Sequence, residues 1–298
     1  MKRNRTFLYF VWILFFLSYA STADELSGVL GWSLSAEKDG FYPGEPVRLI
    51  LQVENKGIRD ETLFLGNEGI EYVSMEIHDP NDRVICIGPP VLRNGLSKSG
   101  LLSVPSGKIS QKGLVLNRWC STLLPPGNYQ VICRLKYLLL SEAIRRPHEE
   151  FYTAGPFHSV SFSIPLRIRE MDVEAFQKIL QDLAANEKSE RFSDRDTWLA
   201  ARETAREMIA LAESELAVPY QMELLSVEPY THRKKDILRS LVRSQSSMAA
   251  AGLCRLWEEK SSKHEDIRHD LLEAIQELRK TGKPEILEAT KTFTDKTQ

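Results

Sequence analysis

Four cysteines and six histidines are the residues from which this chain could draw a nucleophile, a general base or a metal site. Cys120, in the run Asn117-Arg118-Trp119-Cys120, needs a base to act as a nucleophile; a histidine distant in sequence could supply it, a pairing that one sequence does not display. His264 and His269 are five residues apart, which puts them on different faces of a helix, and neither an HExxH nor a CxxC motif occurs. Both therefore read as solvated surface residues. His148-Glu149-Glu150 follows Pro147 in a charged loop and is a single cluster that could touch an ion. No nucleophile elbow, phosphate-cradling glycine loop or dinucleotide fingerprint is found. No catalytic, cofactor or metal residue is assigned, and no cofactor is expected.

The cysteines read instead as structural. Cys120 and Cys133 lie symmetrically about Pro126-Gly127, so an arch folded there brings them opposite each other. A Cys120–Cys133 disulfide is the expected bridge, with Cys86 as the competing partner. Cys254, on an alanine-rich helix, reads as a buried free thiol.

Whether a bridge can form depends on the compartment, and the first residues bear on that. Lys2, Arg3 and Arg5 precede the thirteen-residue apolar run Phe7 to Tyr19, and Ser21-Thr22-Ala23 supply the small residues of a cleavage site. The apolar run falls short of the ~20 residues that span a bilayer, so residues 1–23 read as a cleaved signal peptide. No later stretch is apolar enough to span. The mature protein is expected to be exported, to the periplasm or the cell exterior, without a membrane span. Its four cysteines are too sparse for a disulfide-built scaffold, so a hydrophobic core must do most of the stabilising.

Composition supports a folded chain, with 42% hydrophobic and 27% charged residues. The net charge of -2 lacks the basic excess of a general nucleic-acid binder, so no nucleic acid is expected as partner. The charges are unevenly placed. Asp24 to Asp82 holds thirteen acidic and four basic residues, whereas Arg83 to Arg167 holds eleven basic and three acidic. In an antiparallel fold such halves interleave, and mutual neutralisation is the expected outcome, with separated acidic and basic patches usable for a partner as the alternative.

Residues 24–169 carry strand patterns. Leu30, Trp32 and Leu34 alternate with polar neighbours, and Val47, Leu49, Leu51 and Val53 do so after the turn cluster Gly40 to Pro46. Tyr72 to Ile77 and Val84 to Ile87 flank Asp79-Pro80-Asn81-Asp82 as a hairpin, and Leu92 to Lys112 reads as irregular. Leu114 to Tyr137 reads as a strand, a Pro-Pro-Gly corner and a second strand with Tyr129, Val131, Cys133, Leu135 and Tyr137 on one face. Tyr129 is a candidate corner tyrosine. The last strand alternates from His158 to Ile168, with Pro165 marking an edge or a bulge. About seven short strands without an intervening helix predict an antiparallel β-sandwich.

The runs GFYPGEPVRLILQVENKG, EYVSMEIHDPNDRVI and LPPGNYQVICRLKY resemble bacterial immunoglobulin-like sandwiches, specifically the family typified by the bacterial intracellular proteinase inhibitor. The resemblance covers most of residues 30 to 168. It implies an immunoglobulin-like fold and, secondarily, protease inhibition. The export signal departs from an intracellular inhibitor, and no inhibitory loop is identified.

From residue 170 to 298 the period changes to that of helices. Val173, Phe176, Ile179, Leu180 and Leu183 form one stripe. Ser193 starts a long second helix, with Asp196 at a capping-box position and Trp198, Ala201, Ala205, Met208, Ile209 and Ala212 inward. Glu203, Arg206, Arg202 and Glu207 read as charges of its solvated face. Shorter helices follow from Pro219, Arg233, Met248, Ile267 and Pro284. A shift of 34 positions places Ile237 on Leu271, Leu238 on Leu272 and Leu241 on Ile275. VPYQMELL, THRKKDILRSLVRS and HEDIRHDLLEAIQELRKTGKPEIL resemble HEAT repeats over roughly residues 217 to 293, which implies an α-solenoid, with a plain helical bundle as the alternative.

These readings predict an exported, non-enzymatic scaffold that binds another envelope protein. The alternatives are a proteinase inhibitor acting through the sandwich, and a hydrolase with a site at the domain junction near Tyr152 to His158.

Overall fold

The computed structural model describes residues 29–66, 69–88, 100–120, 123–142, 155–189, 195–259 and 262–293. The expected signal peptide, His148-Glu149-Glu150, Tyr152 and the helix start at Ser193 lie outside them. Strands fill the first half and helices the second, with the change between Ile168 and Val173.

Among the described residues, nine strands form two antiparallel sheets. In the first, β1 (Leu30–Ala36) pairs with β2 (Arg48–Asn55), and β2 with β7 (Ile109–Val115). The second is built on β8 (Gly127–Leu139). Along one edge of β8 runs β9 (Phe157–Ile168). Along the other lie β4 (Val73–His78) and, past its end, β3 (Glu61–Phe64). Outside these, β5 (Val84–Gly88) pairs with β4, and β6 (Leu101–Val104) with β3. The expected inner face of β8 is buried from Tyr129 to Tyr137, and its residues share one core with Leu49, Leu51 and Val53 of the first sheet. Two side chains tie the sheets together at their margins. Asn55, fully buried, donates from Nδ2 to the Val104 carbonyl at 2.8 Å, and Trp119 Nε1 donates to the Val73 carbonyl at 2.8 Å.

Three expectations need correction. The stretch Leu92 to Lys112 is not irregular throughout, because β6 and the start of β7 lie within it, joined by a turn in which Gly107 takes φ +67°. Strand β7 is the margin of a three-stranded sheet and is exposed or half-buried up to Gly113, so it carries no apolar alternation to read. The strand β3 was also not expected. Finally, Leu114 and Val115 end a strand, and the chain then turns through a 3-10 helix at Leu116–Arg118 before the corner.

Other expectations hold. The Tyr129 hydroxyl donates to the Pro125 carbonyl at 2.7 Å, as a corner tyrosine does. Phe41 N–H donates to the Arg167 carbonyl and Arg169 N–H to Phe41, so alternate residues of β9 turn their backbone away from β8. Pro165 is one of these, and its missing N–H costs the ladder nothing. Arg134 pairs with Glu76 across β8 and β4, one point at which the acidic and basic halves neutralise each other.

Seven α-helices are present among the described residues: α1 (Val173–Lys188), α2 (Arg195–Leu211), α3 (Val218–Val227), α4 (Thr231–Ser244), α5 (Ser247–Glu258), α6 (Arg268–Lys280) and α7 (Pro284–Ala289). Asp172 caps α1 by accepting from Ala175 N–H, and Pro219 lies in the first turn of α3. Ile237 and Leu241 of α4, and Leu271 and Ile275 of α6, are buried in one shared core. No described helix is long and apolar enough to cross a membrane.

The two halves pack directly. Val115 contacts a cluster with Met208 and Leu211, and Tyr42 lies 6.1 Å from Phe176, ring to ring. Glu213 N–H donates to the Gly44 carbonyl at 2.8 Å. Gly44 is required there, since its φ is +78° and a Cβ would stand 2.6 Å from the Glu213 carbonyl oxygen.

Candidate functional site

The charges of α2 do not form a solvated face. Arg206 reaches Glu187 of α1 with Nε and Nη2, both at 2.9 Å. Arg202 stands one turn earlier, with Nη2 3.6 Å from Glu187 and its guanidinium over the Trp198 ring. Glu203 binds Arg233 of α4. Glu207 binds Arg118 of the turn after β7. The reading as solvated charges fails for a physical reason. Arg202 and Arg206, like Glu203 and Glu207, repeat one sign at i,i+4, which destabilises an isolated helix and demands partners from elsewhere.

Of these groups, Arg202, Arg206 and Glu187 line a cleft of about 430 Å³ between α1, α2 and α3. Ala184, Ile209, Leu224 and Val227 give it apolar walls, and Arg202, Arg206, Glu187 and Tyr220 give it polar ones. Lys188 and Glu223 pair across its rim, and this contact raises the lysine's affinity for its proton. Behind the cleft, Glu228 is buried. One of its oxygens accepts from Tyr230 N–H at 3.1 Å, and the other stands 3.9 Å from both Arg206 and Arg233. The network thus holds three guanidinium groups against three carboxylates, which fixes Arg206 in place and holds Arg202 more loosely, without leaving a large net field.

One donor in this network is unspent. Arg202 Nε is buried and has no hydrogen-bond acceptor among the described residues. Beside the cleft, Val227 is 58% exposed and Tyr230 53%. The arrangement offers a one-third-exposed planar guanidinium, an apolar floor and an exposed apolar lip. It can bind a carboxylate or carbonyl together with an adjacent apolar group.

The residues singled out by sequence lie elsewhere. The four cysteines, with Cys120 and Cys133 of the expected bridge among them, carry no disulfide in this structure. Cys133 faces the core of the second sheet opposite Met75 and Phe162, and burial pushes its thiol up to about 12. Cys254 is buried as expected, and burial, then the Glu258 charge, push it up to about 11. His264 is not a surface residue, since it is 6% exposed in the 3-10 helix leading into α6, whereas His269 pairs with Glu273 in the open. His158 stacks on Tyr137, with Nε2 2.8 Å from Glu142. It stands ten residues before Ile168, roughly 33 Å along the strand from the end of β9 that meets the helices. His158 is therefore not at the junction, which is made by Tyr42, Gly44, Val115 and Arg118.

No family model matches the chain, and no curated protein matches it. Among similar solved structures is Spo0M, the sporulation control protein of Bacillus subtilis, at 14% identity and a TM-score of 0.26, covering 53% of this chain and 56% of that one. The ASH/PapD-like domain 7 of human CEP192 is similar over 47% of this chain and 87% of its own, at 17% identity and a TM-score of 0.24. Native alpha-2-macroglobulin from Escherichia coli, from domain MG7 to the C-terminus, is similar over 88% of this chain and 55% of its own, at 9% identity and a TM-score of 0.24. The chain thus spans little more than half of the first and third of these structures. The functional reading rests on this chain's own residues.

Proposed function

We propose that this chain is an exported, non-enzymatic scaffold that binds another protein of the cell envelope, an immunoglobulin-like sandwich followed by HEAT-like helix pairs. Binding is carried by one observation: the cleft between α1, α2 and α3, whose wall holds the one-third-exposed Arg202 guanidinium beside the exposed Val227. A partner segment that brings a carboxylate to Arg202 and an apolar side chain to Leu224 and Val227 satisfies both halves of the site. Export rests on the charge, apolar run and small residues of Met1 to Ala23. The helix-pair reading is supported by the 34-position shift from α4 to α6, whose corresponding Ile237 and Leu271 are both buried, and by Lys235 reaching Asp270 at 3.0 Å between those helices.

The test is a photo-cross-linking residue placed at Val227 of the intact protein, irradiated in the envelope fraction. The expected result is a discrete protein adduct that is lost in Arg202→Ala. No adduct, or one indifferent to Arg202→Ala, overturns the reading. Protease inhibition by the strand half is the alternative within the same class, and a panel of secreted proteases left active by the intact protein removes it.

A further inference from the structure

Cys86 and the segment Trp119-Cys120 belong to different parts of the fold and meet at one place. Cys86 lies on β5, opposite Ile77 of β4, half-buried against the core to which Cys120 belongs. Its thiol donates to the Trp119 carbonyl oxygen at 3.2 Å. A carbonyl oxygen lies ~2.8 Å from the next Cα across a planar trans peptide, so Cys86 Sγ stands no more than about 6 Å from Cys120 Cα. A second contact fixes the same approach. A Cβ at Gly88, on the same face of β5, would stand 3.9 Å from that oxygen. Segment Trp119-Cys120 therefore runs against β5 along the side that carries the Cys86 thiol.

Register separates Cys86 from the other candidate in the sheet. Cys86 faces Ile77, and Cys133 faces Met75, two strands away and two residues offset. That places their Cα atoms roughly 12 Å apart, well beyond the ~7 Å limit for a disulfide.

We propose that Cys86 and Cys120 form a disulfide when the protein meets a disulfide oxidant. The half-buried Cys86 reacts first. Its thiolate, having released its proton to water, attacks one sulfur of the oxidant and expels the other as a thiolate. The Cys120 thiolate then displaces the second oxidant sulfur, so two thiols lose two protons and two electrons and the oxidant leaves as two thiols. The bond ties β5, the outermost strand of the second sheet on that side, to the turn that carries Arg118 and so to the junction with α2. This inference goes beyond the binding reading and does not depend on it.

The test is peptide mapping of the intact protein after incubation with oxidised glutathione and alkylation under denaturing, non-reducing conditions. Cys120 and Cys133 share the tryptic segment Trp119–Arg134, so chymotrypsin must follow trypsin to separate them. The expected product links the Cys86 and Cys120 peptides, with Cys133 and Cys254 alkylated. It disappears in Cys86→Ser and raises the thermal midpoint of the oxidised protein by several degrees relative to that variant. A Cys120–Cys133 link, or four alkylated cysteines after oxidation, overturns the proposal.

Discussion

Arg118 and Glu207 are 89 residues apart in sequence, and they meet through Nε at 3.0 Å and Nη2 at 2.6 Å from one carboxylate oxygen. The arginine is 6% exposed, in the turn that ends the first sheet, and the glutamate stands on α2. Charge-assisted contacts in a desolvated position contribute more than surface pairs do. Arg118→Met is expected to lower the stability of the whole chain by about 2 kcal/mol. Urea unfolding followed by circular dichroism measures this, and the helical signal should be lost at lower urea than in the wild type. An unchanged midpoint would show that the apolar contacts of Val115 and Tyr42 hold the halves without it.

Gly44 and Gly107 offer a controlled comparison, because both have positive φ but different surroundings. Around Gly44 a methyl group meets the backbone oxygen of Glu213 at 2.6 Å, whereas nothing lies within 4 Å of the corresponding position at Gly107. Gly107→Ala therefore carries the conformational cost alone, about 1 kcal/mol. Gly44→Ala must also push α2 and its following turn away from the first half, and is expected to cost on the order of 3 kcal/mol. Thermal unfolding of the two variants in parallel checks the difference. Equal losses would mean that the junction yields freely.

Glu213 is expected to make the stability of the junction depend on pH. Burial raises the affinity of its carboxylate for a proton, and the Arg243 guanidinium offsets this only in part. It lines a water-sized cavity of about 20 Å³ together with Glu45, which is itself paired with Lys38. A carboxyl group with a folded pKa above its unfolded one favours folding most when protonated. Its contribution is present below the ordinary glutamate value near 4.5 and is lost as pH rises through the raised folded value. Glu213→Gln should flatten that part of the stability–pH curve while leaving the acid limb in place. A curve of unchanged shape between the two values would assign the dependence to other groups.

The elements that bury one face were legible in the sequence. The alternation from Tyr129 to Tyr137 and the stripes of Ile237/Leu241 and Leu271/Ile275 each reach the core as their periods predict. Strand β7 was not legible, because at the margin of a small sheet neither of its faces is covered before Leu114. The candidate cleft was missed for a different reason. Arg202 and Arg206 occupy positions where a helix facing water would also be charged, and periodicity cannot tell a solvated charge from one paired across helices. The repeated sign at i,i+4 was the available signal. Cys120 drew attention through its symmetry with Cys133 about the corner, but symmetry in sequence ignores the 3-10 turn that carries Trp119 and Cys120 against β5.

The same two arginines separate binding from stability. Arg206 is nearly buried and spends two nitrogens on Glu187, itself largely buried, so Arg206→Ala leaves that carboxylate to Arg202 at 3.6 Å alone. Loss of one partner from a buried pair is expensive, and a loss of about 3 kcal/mol is expected. Arg202 holds Glu187 only loosely and is a third exposed, so Arg202→Ala should change stability by no more than about 0.5 kcal/mol. If the cleft is the binding site, partner capture falls in both variants, but only Arg206→Ala also lowers the urea midpoint. Arg202→Lys sharpens the comparison, since it keeps the charge and removes the planar Nε donor. Capture restored by lysine would assign the site's role to charge alone, whereas capture lost in both Ala and Lys variants at unchanged stability assigns it to the geometry of the Arg202 guanidinium.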